Sequence, residues 1–189
     1  FKPGDFTQVN YHINQVLISR ALRLLQVQPQ DRIGDFFCGL GNFSLPMARK
    51  AKEVVGVEGS GILTRRAQEN AILNHLQDKT SFYERNLFEM TVKEWKTLLP
   101  FDRILIDPPR DGAMALCQTL VDVAKEDTAY CPKRIVYVSC NPSTLARDAG
   151  ILVNSGQYKL LQAGIVNMFP HTSHVESMAV FEKLKPVSH

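Results

Sequence analysis

Apolar positions recur along the chain with two periods, and the two alternate. From 10 to about 26, Ile13, Val16, Leu17, Ala21, Leu24 and Leu25 fall at helical spacing, which predicts a leading amphipathic helix. Short β-branched and aromatic runs then follow one another: "DRIGDFFCG" (31–39), "EVVGVE" (53–58), "TSFYE" (80–84), "FDRILID" (101–107) and "RIVYVSC" (134–140). Helical patterns separate them, from about 43, from about 62 to 76, around 92–99, from about 114 to 125 and from 143 to 153. Strands alternating with helices predict an α/β fold with a mostly parallel sheet covered by helices. The tail changes character. "YKLLQAGIVNM" and "VESMAVFEKL" are two strand-like runs joined by "FPHTSH", with no helix between them, and an antiparallel C-terminal pair is the simplest reading.

The chain of 189 residues is 44% apolar, enough for one sizeable core. A domain over 31–185 is expected, preceded by an N-terminal segment and leading helix over 1–30. Twenty-two basic residues against 19 acidic ones leave a charge of +3, so any nucleic-acid contact must be local rather than a bulk property. The cysteines, Cys38, Cys117, Cys131 and Cys140, contain no CxxC pair, which argues against a disulfide framework or zinc ribbon and points to a reducing, cytoplasmic setting. No apolar run reaches the roughly 18 residues of a membrane span. The opening "FKPGDFTQVN" reads like the middle of a longer protein.

In open α/β sheets, ligands bind beyond the carboxyl ends of the strands. The five predicted parallel strands end near 35–39, Glu58, Asn86, Asp107 and Cys140, so polar residues converge on one edge. "DFFCGLGNFS" has two glycines for close backbone approach but lacks the third glycine of a dinucleotide fingerprint. Glu58 is placed to accept bonds from ribose hydroxyls. An adenosine ligand without phosphates fits both facts, and S-adenosylmethionine is the common one. "DPPR" (107–110) is similar to the Asp/Asn-Pro-Pro-aromatic element of amino-methyltransferases, with Arg110 in place of the ring and free to bind phosphate. Cys140 stands where a strand leaves the sheet, before a helix whose N-terminus would favour a thiolate. The other three cysteines lack that setting and read as structural. His171, His174 and Glu176 lie close together, but no upstream ligand pair completes a zinc site, and no metal is expected. On a strand, Glu176 shares a face with Met178 and Val180; the partial desolvation this implies suits a general base.

"FTQVN", "DFFCGLGNFSLPMA", "DPPR", "VSCNPSTLARD" and "MFPHTSHVESM", in this order, resemble the catalytic domain of bacterial RNA uracil-5-methyltransferases. The likeness runs from 6 to about 181 and is greatest to the members that methylate a uridine in 23S ribosomal RNA. The cysteine and "FPHTxHVE" motifs are specific; the glycine loop is not. The resemblance implies a Rossmann-like class I S-adenosylmethionine-dependent fold, cofactor contacts from Gln8, Phe37, Asn42, Glu58, Asn86 and Asp107, Cys140 as nucleophile and Glu176 as base. Ribosomal RNA is then the expected partner, with no DNA and no membrane. Family members also carry an N-terminal TRAM-type RNA-binding barrel, and the 23S type an iron-sulfur cluster; neither is in this sequence, so a cluster is expected only in a missing N-terminal part. Three other readings fit part of the pattern: a transfer-RNA uracil-5-methyltransferase, an amino-methyltransferase acting on adenine or guanine, and a non-catalytic RNA-binding module that keeps the fold. A thiol is needed only by the uracil chemistry.

Overall fold

The computed structural model describes residues 3–167 and 175–185, with residues 3–10 described by backbone alone. The leading helix α1 spans Pro3–Leu25. Then follow β1 (Arg32–Phe36), α2 (Ser44–Ala48), β2 (Glu53–Glu58), α3 (Gly61–Leu73), β3 (Thr80–Glu84), α4 (Val92–Leu98) and β4 (Arg103–Ile106). The chain continues with α5 (Met114–Glu126), β5 (Arg134–Ser139), α6 (Pro142–Asn154), β6 (Tyr158–Asn167) and β7 (Val175–Lys183). The predicted elements are all present, most within a residue or two of their expected ends. α1 starts earlier than its apolar stripe, and β1 ends at Phe36 because Phe37 turns to φ +63°. Pro108 and Pro109 cannot donate to a ladder, and β4 stops two residues ahead of them.

The seven strands lie in the order β3-β2-β1-β4-β5-β7-β6. β3, β2, β1, β4 and β5 are parallel, while β7 runs antiparallel between β5 and β6. The C-terminal pair expected from sequence is therefore present, with the later strand inside. The chain reverses its direction of winding between β1 and β4, the switch point at which such sheets bind ligands.

Both faces of the sheet are covered. On one, Leu17, Ala21 and Leu25 of α1 and Met47 of α2 pack on Ile33, Leu105, Val136, Val138, Met178 and Val180. On the other, helices α4, α5 and α6 cover Phe36, Ile104, Ile106, Ile135 and Tyr137. Every residue of β5 is buried, as expected of a strand covered on both sides. Trp95 fills the α4 corner, stacked on Phe36 with ring centroids 5.4 Å apart, and its indole N–H donates to the Tyr130 carbonyl at 3.1 Å. Arg134 and Arg103 donate to the Leu24 and Leu25 carbonyls at 2.7 and 3.2 Å, satisfying the end of α1 with positive charge. That fixes α1 against the sheet from below and leaves the carboxyl edge of the strands open for a site.

Candidate active site

Beyond β1 the chain crosses the end of β2. The amides of Phe37 and Cys38 both donate to the Val57 carbonyl, at 2.9 and 3.2 Å. This holds Phe37 in the left-handed region, a conformation that costs about 1–3 kcal/mol and collects at functional sites. Gly39 follows at φ +55°, and its N–H donates to Glu58 Oε2 at 3.0 Å. Ser60 N–H donates to Glu58 Oε1 at 3.1 Å. Backbone donors thus aim both oxygens of a half-buried carboxylate, which keeps lone pairs for further donors such as ribose hydroxyls.

Phe37, Glu58, Asn86, Phe88, Asp107 and Pro109 line a cavity of about 280 Å³. Asn86 Oδ1 accepts from Phe88 N–H at 3.1 Å, and the Phe88 ring meets Phe37 edge-on with centroids 5.6 Å apart. Four of the six cofactor residues expected from sequence therefore surround one cavity. Asn42 does not; it lines a neighbouring groove with Tyr11, Leu40 and Arg49. Gln8 lies on α1, but its side chain is outside the described residues, as are His171 and His174.

Asp35, at the end of β1, is fully buried. Its Oδ2 accepts from Ser44 Oγ at 2.5 Å, and its Oδ1 has no hydrogen-bond partner. Burial raises its pKa to about 7, with the Ser44 bonds offsetting part of the rise and Glu58 adding to it. Asp107 is pushed up to about 8, chiefly by burial and then by the charges of Asp35 and Glu176. A buried acid with an unpartnered oxygen and a half-buried one, beside a pocket with an aimed carboxylate, suit a ligand that brings hydroxyls and positive charge. S-Adenosylmethionine, with its ribose, ammonium and sulfonium, is chemically matched to this set.

Cys140 and Glu176 come from neighbouring strands. The β5–β7 ladder pairs Val138 with Met178 and ends at Ser139 with Ser177; Cys140 directly follows the end of β5, Glu176 directly precedes Ser177 on β7, and the Glu176 charge acts on the thiol. Cys140 is the exposed cysteine, whereas Cys38, Cys117 and Cys131 are buried, as expected of structural thiols. The α6 N-terminus, expected to favour a thiolate, is opposed by the surroundings of Cys140. Desolvation on the protein side, then the Glu176 charge, lift the Cys140 pKa above the ordinary thiol value, and they outweigh the lowering effects of its backbone and Arg110. Glu176 is half-buried, and its interactions extend to both Cys140 and Asp107. The nucleophile and base candidates therefore face the same edge as the cofactor cavity.

The sequence reading passed over Asp148, which is fully buried in α6 and accepts bonds from Tyr137, Ala113 and Arg147. A signal existed: Leu145, Asp148 and Leu152 occupy one buried stripe of that helix, so a carboxylate sits where the pattern calls for a Leu.

The sequence model of the tRNA (uracil-5-)-methyltransferase family matches residues 1–184. Among curated proteins, the 23S rRNA (uracil(1939)-C(5))-methyltransferase RlmD of Cupriavidus pinatubonensis is 61% identical over 183 residues, 97% of this chain and 40% of that protein. The RlmD of Ralstonia pickettii is 61% identical over 186 residues, with 97% and 41% covered. The chain thus spans about two-fifths of the length of these relatives. Among solved structures, the Pyrococcus abyssi tRNA (uracil-54, C5)-methyltransferase in complex with S-adenosyl-L-homocysteine superposes with a TM-score of 0.68 at 28% identity, over 86% of this chain and 37% of that one. The sheet order, the switch-point cavity and the matched span agree on a class I S-adenosylmethionine-dependent methyltransferase fold, and the chain belongs to the tRNA (uracil-5-)-methyltransferase family.

Proposed function

We propose that this chain carries out S-adenosylmethionine-dependent methylation of carbon 5 of a uridine in 23S ribosomal RNA, with Cys140 as nucleophile and Glu176 as base. The observation that supports the reading is an exposed thiol just beyond the end of β5, with the Glu176 carboxylate of the neighbouring β7 near enough for its charge to act on it. The ribosomal substrate is favoured over transfer RNA by the names of relatives at 61% identity, against a transfer-RNA enzyme at 28%. Phe37, Glu58, Asn86 and Asp107 would hold the methyl donor, with Asn42 of the adjoining groove and Gln8 of α1 as further expected contacts.

Carbon 5 of uracil is a poor nucleophile until charge is placed on it. The target base leaves its stack, at a few kcal/mol, to reach the edge. Cys140, exposed at the edge, gives its proton to solvent, and the thiolate adds to C6, which moves charge onto C5 and O4 as an enolate. When bound, S-adenosylmethionine would supply an electrophilic methyl group to C5, the S–CH3 bond breaking to leave S-adenosylhomocysteine. The Glu176 carboxylate then takes the C5 proton, the C6–S bond breaks, and the thiolate of Cys140 is released with the 5-methyluridine. Burial and the Glu176 charge oppose ionisation of the thiol, and Arg110 is the nearby cation that favours it. Mapping 5-methyluridine in total RNA from a deletion strain tests the reading. One 23S position should lose its methyl group, regain it with the wild-type gene and stay unmodified with Cys140→Ala. A full 23S complement in the deletion strain would refute it.

A further inference from the structure

The loop 107–113, between β4 and α5, carries Asp107 and Arg110 and leaves the sheet after Asp107, whose N–H donates to the Phe36 carbonyl of β1 at 3.1 Å. The Pro108 and Pro109 nitrogens have no proton to give, and the internal bond Gly112 N–H to Pro109 carbonyl, at 2.9 Å, only closes a turn. Beyond Asp107, several of its polar groups are taken up by α6 and its cap. The Arg110 carbonyl accepts from Asn141 Nδ2 at 3.0 Å and from Thr144 Oγ1 at 3.1 Å. The Asp111 carbonyl accepts from Arg147 Nη2 at 2.8 Å, and Ala113 N–H donates to Asp148 Oδ2 at 2.7 Å. Asp148 is the hub. It is fully buried, takes the Tyr137 hydroxyl on Oδ2 at 2.6 Å and binds Arg147 Nε through Oδ1 at 2.9 Å. Gly112, at φ +79°, lets the loop close on this hub, since a Cβ there would stand 2.7 Å from both Arg147 Nη2 and Asp148 Oδ2.

These contacts use Asn141, Thr144, Arg147 and Asp148 of "CNPSTLARD", the part of the motif that the chemistry at Cys140 leaves unexplained. Asn141 directly follows the thiol residue and also caps α6, its Oδ1 accepting from Ser143 N–H at 3.0 Å. One helix end therefore sets where Cys140 stands and where Arg110 stands relative to it.

We propose that Asp148 and Arg147, with Asn141 and Thr144, form a clamp by which α6 locks the loop 107–113 against Cys140, making Asp148 and Arg147 positioning residues for the nucleophile. The proposal rests on the reading of Cys140 as that nucleophile. Its consequence is local and electrostatic. With the Arg110 backbone fixed, its guanidinium stays beside the thiol and favours the thiolate; with the loop released, Cys140 is left with Glu176 and Asp107, whose charges oppose ionisation.

Arg147 is exposed and Thr144 partly so, which makes Arg147→Gln and Thr144→Val mild changes, while Asp148→Asn removes the charge from the hub. The test is the pH profile of Cys140 alkylation by iodoacetamide in the full-length protein, with Cys140→Ala as background, alongside methyl-transfer kinetics and thermal unfolding. All three variants should move the alkylation profile to higher pH. They should also lower kcat by roughly tenfold or more, the scale expected of misplaced reacting groups, while KM for S-adenosylmethionine holds. In Arg147→Gln and Thr144→Val this should occur with little change in melting temperature. Alkylation profiles superimposable on wild type in these two folded variants, with Cys140→Ala inactive, would overturn the clamp alone. Methylation surviving in Cys140→Ala would instead remove the nucleophile reading and the proposal with it.

Discussion

Replacing Asp35 by Asn should change how stability depends on pH more than it changes stability itself. The carboxyl is fully buried, bonded on one oxygen to Ser44 and unpartnered on the other. Burial lifts its pKa from the ordinary 3.8 to about 7. The folded protein thus keeps a proton that the unfolded chain releases near pH 4. The resulting stabilisation is complete below that pH and is lost as the pH rises through about 7. A rise of that size corresponds to on the order of 4 kcal/mol across the window. Asn can keep the Ser44 bond through its amide oxygen but puts an unpartnered NH2 where Oδ1 was, a pH-independent penalty of about 1–3 kcal/mol. Asp107 adds to the contrast, because Asp35 is one of the charges that raise it. Urea unfolding followed by circular dichroism at pH 5, 6, 7 and 8, at fixed ionic strength, should show Asp35→Asn less stable than wild type at pH 5 and equal or more stable at pH 8. Two profiles running parallel, separated by a constant offset, would refute the assignment of a proton to the buried carboxyl.

Two further changes probe the site and its support. Glu58→Gln removes the charge and one of the two acceptors that Gly39 and Ser60 aim, and calorimetry should show S-adenosylhomocysteine binding weakened by about ten- to a hundredfold; unchanged affinity would place the ligand elsewhere. Tyr137→Phe deletes a 2.6 Å bond to the buried Asp148 and should lower unfolding free energy by about 1.5–3 kcal/mol, and a loss below about 0.5 kcal/mol would deny that bond a role in stability.

The fold was legible because its strands and helices each keep one period over their length. β2 and β3 were bounded correctly since glycine, charge and turn residues flank short β-branched or aromatic runs. The placement of β7 between β5 and β6 was not legible, because an antiparallel tail pair can dock by either strand and only side-chain fit decides. Among site residues, Glu58 and Asp107 could be found from their places at strand ends. Cys140 could too, but the balance acting on its thiol could not: a helix N-terminus favours a thiolate, whereas the charged neighbours that raise the pKa come from β7 and the loop 107–113, far away in sequence. Asn42, adjacent to the glycine loop in sequence, lines the groove next to the cavity that Phe37, Glu58, Asn86 and Asp107 share. Asp148 was hidden by its own helix, whose capping and amphipathic pattern read well enough without it.

The central claim, that Cys140 and Glu176 act on one uracil, is tested most directly by mass spectrometry of Glu176→Gln after incubation with a 23S ribosomal RNA fragment and S-adenosylmethionine. The account predicts a covalent protein–RNA adduct joined through Cys140 and carrying one added methyl group, which accumulates because the C5 proton is not removed. Methylated RNA released at the wild-type rate with no adduct, or an adduct through any other residue, would contradict it.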